Sequence, residues 1–217
     1  MVRVIVVDDE ELVRSGFRLI LQAAGDIEVV ATVTGAHAVK EVSLLRPDVV
    51  LLDIRMPDVD GLTVLRQLRG LQNPPVVAML TTFDSDEYIA TALRSGAAGF
   101  ILKDTAPEQL AQLVRTLAAG GVVLSPKVTR TVVDGYLDSG AGSAAATQVD
   151  QLSDRERAVL VLIADGLSNA DIAGRIHVSV GTVKDHVSAL LTKLGVGSRV
   201  QAALVAQRAG LLENRPT

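Results

Sequence analysis

The chain has 217 residues, 48% apolar and 21% charged, with a formal net charge of −4; this describes a soluble globular protein of one large or two modest domains. It contains no cysteine, which excludes disulfides, thiol catalysis and thiolate metal sites. The N-terminal apolar run Val4–Val7 stops at Asp8-Asp9, too short for a signal peptide, and no apolar stretch approaches the roughly 20 residues of a membrane span, so a cytoplasmic protein without membrane association is expected.

The first 120 residues alternate between two patterns. Short apolar runs, mostly β-branched, occur at Val2–Val7, Val29–Val33, Val49–Leu52, Val76–Leu80 and Phe100–Leu102. Amphipathic segments separate and follow them, near Glu11–Ala23, Ala36–Leu45, Leu62–Leu71, Ser85–Ser95 and Pro107–Ala119. In the first of these, Leu12, Gly16, Leu19, Ile20 and Ala23 fall at helical spacing. Five repeats of strand then helix predict an α/β doubly wound domain, a five-stranded parallel sheet wrapped on both faces. Such sheets bind ligands in the crevice beyond the carboxyl ends of their strands.

Those ends carry the chemistry. Strand one ends in Asp8-Asp9, strand three in Asp53, strand four in Thr81-Thr82 and strand five in Lys103. Taken singly, paired acids before a helix serve as caps and a lysine after a strand is a solvated charge. Parallel strands would instead gather all four sets at one edge. Three clustered carboxylates raise each other's pKa values unless a cation joins them. Oxygen ligands without His or Cys suit a hard ion, and Mg²⁺, which keeps several waters, fits best. A lysine and a hydroxyl beside that ion are what a phosphoryl group needs for charge neutralisation and orientation, and a carboxylate can itself be the nucleophile. No Gly-x-x-x-x-Gly-Lys-Ser/Thr occurs, which excludes a P-loop nucleotidase.

Residues 1–120 resemble the receiver domain of bacterial two-component response regulators. The resemblance is carried by Val-Val-Asp8-Asp9-Glu10, Leu-Asp53-Ile-Arg-Met-Pro57-Asp-Val-Asp-Gly61, Leu-Thr81-Thr82 and Gly99-Phe100-Ile-Leu-Lys103. It implies that Asp53 accepts a phosphoryl group from a sensor histidine kinase. Asp8, Asp9 and Asp53 would bind Mg²⁺ together with the backbone carbonyl of Arg55, and Thr81 and Lys103 would contact the phosphoryl oxygens. Thr81 and Phe100 would be the switch residues; Phe100 lacks a phenolic hydroxyl, so only its packing can report the state. Asp104 follows Lys103 where many receivers have proline, so the cis-proline turn of those receivers has no proline to form it.

Residues 121–150 read as connector and linker. Asp138–Asp150 is rich in Ser, Ala and Gly without apolar periodicity, which marks a flexible or weakly helical segment; Val122–Leu137 is compatible with an extension of the first domain or a separate helix. Beyond it the balance of charge changes. Residues 1–137 hold 13 Lys/Arg against 17 Asp/Glu, and residues 151–217 hold 8 against 6. All five aromatics precede residue 138, so stacking on single-stranded nucleic acid is not expected of the second part.

Residues 151–217 are predicted to be a small all-α four-helix domain. Ser153-Asp-Arg-Glu156 and Ser198-Arg-Val-Gln201 are capping boxes, Ser168 and Ser179 cap the two helices between, and Gly166, Gly195 and Gly210 are stops. His177-Val178 must turn sharply. On the third helix Val180, Val183, Val187, Leu190 and Leu194 share one side, and Gly181, Asp185, Ser188, Ala189 and Thr192 the other, with Lys184 on one flank and His186 and Lys193 on the other. A small polar face flanked by cations suits the major groove of double-stranded DNA.

Residues 152–212 resemble the LuxR-type helix-turn-helix output domain, so the chain as a whole is similar to the NarL/FixJ type of regulator. The matching residues are Leu152-Ser-Asp-Arg-Glu156-Arg, Gly166-Leu-Ser-Asn169-Ala-Asp-Ile172-Ala173, Val178-Ser-Val-Gly181-Thr182-Val183-Lys184-Asp-His186-Val187 and Lys193-Leu194-Gly195-Val. The resemblance implies base recognition through Lys184, Asp185 and Ser188, with Thr182, Lys193 and the start of the second helix facing phosphates. A net charge of only +2 favours dimers on DNA, and Val200, Ala203, Leu204 and Ala206 offer a small-residue contact face, though Val200 and Leu204 serve equally as core. The expected function is a phosphorylation-controlled transcription regulator, a phosphoacceptor and not a turnover enzyme. The competing readings are a Mg²⁺-dependent phosphohydrolase with Asp53 as transient nucleophile, and an unphosphorylated interaction module.

Overall fold

The computed structural model of the chain describes residues 1–82, 86–124 and 142–212. The predicted strand–helix alternation is present as β1 (Val2–Val7), α1 (Glu11–Gln22), β2 (Ile27–Val33), α2 (Gly35–Leu45), β3 (Val49–Asp53), α3 (Gly61–Arg69), β4 (Val76–Thr81), α4 (Asp86–Arg94), β5 (Gly99–Leu102) and α5 (Pro107–Ala118). The five strands are parallel in the order β2-β1-β3-β4-β5. Side chains alternate across the strands. Ile5, Val7, Val50, Leu52, Val77 and Met79 enter one apolar cluster with α2, α3 and α4. Val4, Val6, Val49, Leu51, Ala78 and Leu80 enter a second with α1 and α5. Both faces are covered, which is why these strands read as continuous apolar runs.

Helix α1 departs from expectation. It buries Phe17 and Leu21, while Leu12 and Leu19 are 84% and 72% exposed. Of the stripe picked out by spacing, Leu12 and Leu19 therefore face solvent, while Ile20 packs at the margin of the core. Helix α1 has two apolar stripes, and the one holding the aromatic ring is the one that meets the sheet.

The predicted connector at residues 125–141, with Tyr136, and the positions of Phe83 and Ser85 lie outside the described residues. Before the connector, Val123 is buried and forms a parallel bridge with Gly99, and the Phe100 N–H donates to Val123 O at 2.7 Å. The chain thus leaves the receiver along the edge of β5.

The output region has five helices where four were predicted: α6 (Gly142–Asp150), α7 (Asp154–Ala164), α8 (Asn169–Ile176), α9 (Val180–Leu194) and α10 (Arg199–Arg208). Helix α6 occupies the end of the expected linker. Its Ala145 and Val149 are buried in the output core, and Gln148 donates to Leu194 O at 3.0 Å. Both predicted capping boxes form, and Ser168 with Asp171 makes a third. His177 adopts φ 56°, the sharp turn required between α8 and α9. On α9, Val183, Leu190 and Leu194 are buried as expected, while Val180 remains 43% exposed.

The two domains are in contact. Helix α10 packs on α4; its Val200 is 2% exposed and, with Leu204, joins the receiver cluster that holds Ile89, Leu93 and Phe100. Of the expected dimer face, Ala206 belongs to the output core and Ala203 packs against it, whereas Val200 and Leu204 pack on the receiver and not in their own domain's core. Burial of Val200 alone is worth about 1.5–3 kcal/mol. Hydrogen bonds cross the seam from Arg69 Nη2 to Gly197 O at 2.6 Å, from Gln201 Nε2 to Leu93 O at 2.7 Å and from Asn169 N to Ala119 O at 3.0 Å. Gly120, at φ +80°, turns the chain there, and a Cβ on it would strike the Asn169 side chain. Among the described residues no helix is long and apolar enough to cross a membrane.

Candidate functional site

In this strand order the connections leave β1 and β3 in opposite directions, opening a crevice between their carboxyl ends. Asp8 follows β1 and Asp53 ends β3, so both stand at that crevice, 0% and 4% exposed. Loop geometry holds them. Asp8 Oδ1 accepts from the Glu10 N–H at 2.9 Å, and Arg14 of α1 reaches back to Asp8 O and Asp9 O at 2.7 and 2.9 Å. Behind Asp53 the loop folds over so tightly that Gly61 donates to Ile54 O at 3.0 Å, and a Cβ on Gly61 would collide with Asp53 O. Asp60 then caps α3.

Lys103, just past β5, closes the site. Its Nζ lies 2.8 Å from Asp8 Oδ2 and 3.1 Å from Asp53 Oδ2, and its side chain is only 13% exposed. The Lys103 N–H donates to Thr81 O at 2.8 Å, which ties the ends of β4 and β5 together. Thr81 is 4% exposed. Burial is the main cause that pushes the Asp53 carboxyl up to about 6; Asp8 adds to this, and Lys103 and the Arg55 N–H oppose it. Burial disfavours the charged Lys103, but its contacts with the two carboxylates outweigh that and raise its pKa. The crevice therefore holds buried negative charge offset by one ammonium.

Carboxylate oxygens of Asp8, Asp9 and Asp53 lie within 4.8 Å of one another, close enough to share one ion. Asp8 Oδ2 accepts no hydrogen bond of good geometry; the Lys103 ammonium is its ion-pair neighbour. An all-oxygen set of three carboxylates, two of them buried, fits a hard divalent cation. The Arg55 guanidinium stacks 5.4 Å from the centre of the Tyr88 ring on α4. Phe100, expected from the resemblance to be a switch residue, is 1% exposed and packed inward. No cis peptide bond occurs among the described residues, the Lys103–Asp104 bond included.

On the output domain Thr182, Lys184, Asp185 and Ser188 are exposed on α9. Thr182 is also a structural partner of the Ser179 cap, its N–H donating to Ser179 Oγ at 3.0 Å. Lys193 is not a free cation: its Nζ lies 2.8 Å from Glu156. That contact and the Ser153 cap hold the Glu156 carboxyl down at about 2. Lys184, Ser188, Val187 and Leu191 face the receiver across a cleft of about 730 Å³, whose far wall includes Arg46, Asn73 and Pro74. The side of α9 that carries Lys184 and Ser188 thus looks onto the receiver, and α8 meets the carbonyl of Ala119 at its first residue.

Several positioning residues carried no signal in sequence. Arg14 fell inside an amphipathic helix pattern, Arg69 and Gly120 act across the seam, and Asn169 and Gln201, which also hold Arg199 and the α10 capping box within the output domain, gave no sign of their contacts with the receiver. Their partners are as far as 128 residues away in the chain, beyond the reach of any local pattern.

Comparison with known proteins gives the same two-part division. Residues 4–115 match the response regulator receiver domain, and residues 150–206 match the bacterial regulatory proteins of the luxR family. The transcriptional regulatory protein LnrK of Bacillus subtilis (strain 168) is 35% identical over 217 residues, covering 97% of this chain and 99% of that protein. The oxygen regulatory protein NreC of Staphylococcus aureus (strain JH9) is 37% identical over 216 residues, again covering 97% and 99%. The crystal structure of ChrA, a response regulator in a heme-sensing two-component system, is similar at a TM-score of 0.52 and 34% identity, covering 97% of this chain and 98% of that one. The chain belongs to the response regulators that join a receiver to a luxR-family DNA-binding domain, and it is a phospho-signalled transcription regulator.

Proposed function

We propose that Asp53 is the phosphoacceptor and that its phosphorylation opens the seam that covers α9. A phosphohistidine on a sensor kinase is the donor: Asp53 Oδ attacks phosphorus, the P–N bond breaks, and the imidazole leaves and is reprotonated from solvent. Asp8, Asp9 and Asp53, with the Arg55 carbonyl, would hold Mg²⁺, which supplies charge neutralisation for the transferring phosphoryl group. Lys103 is within reach of the new oxygens because it already contacts Asp53, and Thr81 stands at the neighbouring strand end. The observation that carries this reading is one half-buried ammonium bridging two buried carboxylates at the crevice between β1 and β3.

The kinase reading has a second support. The exposed stripe of Leu12, Ser15 and Leu19 on α1, continued by Ala23 at its C-cap, starts immediately beyond Asp8 and Asp9. An apolar helical stripe beside the acceptor suits a helical partner that presents its phosphohistidine to the crevice.

Phosphorylation adds roughly −1.5 to −2 of charge beside Lys103. Drawing Lys103 and Thr81 towards the phosphoryl group shifts β4, β5 and the start of α4, on which α10 is docked. Release of α10 exposes Val200, Ala203 and Leu204 for a homodimer and frees Lys184, Asp185 and Ser188 for base edges. Thr182 and the start of α8 then face phosphates, and two such helices read half-sites about 34–36 Å apart or a multiple of that. The protein acts as a regulator, and its only chemistry is transfer to and loss from its own Asp53.

The test is labelling by a small phosphodonor with Mg²⁺. Wild type is expected to take up about one phosphoryl group per chain and Asp53→Asn none, with no turnover of small phosphate esters by either. Equal labelling of the variant would remove Asp53 from the mechanism, and sustained ester turnover would make the protein a phosphohydrolase.

A further inference from the structure

Two arginines border the seam without an acid to answer them. Arg69 ends α3 of the receiver and donates to Gly197 O. Arg199 opens α10 of the output domain, is 8% exposed, and donates to Asn169 Oδ1 at 2.9 Å and to Leu167 O. All of these acceptors are neutral, and Arg199 Nε is buried with no acceptor at all. Neither arginine pairs with a carboxylate among the described residues. Buried charges are ordinarily paired, and here burial pushes Arg69 down and Arg199 down to about 10. Both side chains line one cavity of about 150 Å³ between the domains, together with Pro75, Gly120, Asn169 and Ser198. At about 30 Å³ per water that space is ample for a phosphate or sulfate ion.

We propose that this cavity binds a small tetrahedral oxyanion such as inorganic phosphate, and that the bound ion fastens the output domain to the receiver. The geometry assigns one guanidinium to each domain, so an anion between them is held only while the seam is closed. Each domain alone would offer half of the site. By linkage, a ligand that binds only the closed form multiplies the closed population by one plus its concentration over its dissociation constant. The site is independent of the phosphoacceptor chemistry, lying at the opposite edge of the sheet from Asp53.

The test is amide exchange at Asn169, whose N–H crosses the seam to Ala119 O, in the full-length unphosphorylated chain without divalent cation. Inorganic phosphate at roughly ten times its dissociation constant should slow exchange there about tenfold, with sodium chloride at equal ionic strength giving no such change. Arg69→Gln, at a half-buried helix end, should fold and lose the effect, while Arg69→Lys should keep much of it. Phosphate that met Lys103 instead would act equally on all three chains. An Asn169 amide that does not respond to phosphate, or responds equally in wild type and Arg69→Gln, overturns the proposal.

Discussion

Gly120→Ala is expected to release the DNA-reading helix without phosphorylation. Gly120 sits at φ +80° just beyond α5, and a Cβ added there would strike the Asn169 side chain. An alanine there pays for a left-handed conformation, about 1–2 kcal/mol, whether the seam is open or closed. The clash with Asn169 exists only in the closed state. Asn169 cannot rotate its side chain away without giving up the hydrogen bond by which its Oδ1 holds Arg199. Overpacking of this kind costs about 1–3 kcal/mol, so the open population should rise roughly 5- to 150-fold. Unphosphorylated Gly120→Ala should then retain genomic duplex fragments that wild type retains only with a phosphoryl mimic such as beryllofluoride, and its radius of gyration in solution should increase. If both stay at the wild-type values, the contact at Ala119–Asn169 does not restrain α9.

This variant touches neither Asp53 nor any base-reading side chain. It therefore separates the restraint on output from phosphoryl chemistry. A regulator whose α9 is already free would gain nothing from it, whereas one restrained at the seam gains the effect of phosphorylation without the phosphate.

The receiver was legible in the sequence because its chemistry sits where strands stop, and strand ends are visible in a pattern of apolar runs. Asp8, Asp53, Thr81 and Lys103 needed only the inference that the strands are parallel. The caps of α7 to α10 were legible for a similar reason, since each is a contact between residues three apart. Periodicity failed on α1, where Leu12-Leu19 and Phe17-Leu21 are both acceptable stripes and only the sheet decides between them. It failed again at Gly142–Asp150, where Ala145 and Val149 are too few to show a face amid small residues. The docking of α10 on α4 was not legible at all. Val200 and Leu204 are apolar residues on an amphipathic helix, and nothing local distinguishes a core contact, a dimer contact and a contact with another domain. That docking brings the receiver and the output domain into direct contact: α4 is the helix that follows β4, which ends at Thr81, and it meets α10.

Lys103→Met should expose how much of the crevice depends on its one ammonium. The substitution leaves Asp8 and Asp53, 0% and 4% exposed, facing each other without their cation. Removing one partner from a buried pair costs about 3–5 kcal/mol, but here protonation limits the loss. Asp53 already titrates at about 6 through burial, and without Lys103 it moves higher. A carboxyl raised in the folded state binds more protons there than in the unfolded chain, so its contribution to stability falls as pH rises through the interval between the two values. With an unfolded value near 4, the wild type without divalent cation should lose stability from about pH 4 to 6. In Lys103→Met that loss extends above pH 6 as well. Near pH 5 the variant should melt close to wild type; near pH 8 in EDTA it should lie about 2–3 kcal/mol below, roughly 5–10 °C in midpoint. Mg²⁺ should recover most of the difference at pH 8, because the three carboxylates would then share a divalent cation in place of the lysine. A gap that does not change with pH would mean that Asp53 is not the titrating group, and a gap that Mg²⁺ leaves untouched would mean that Asp8, Asp9 and Asp53 do not hold the ion.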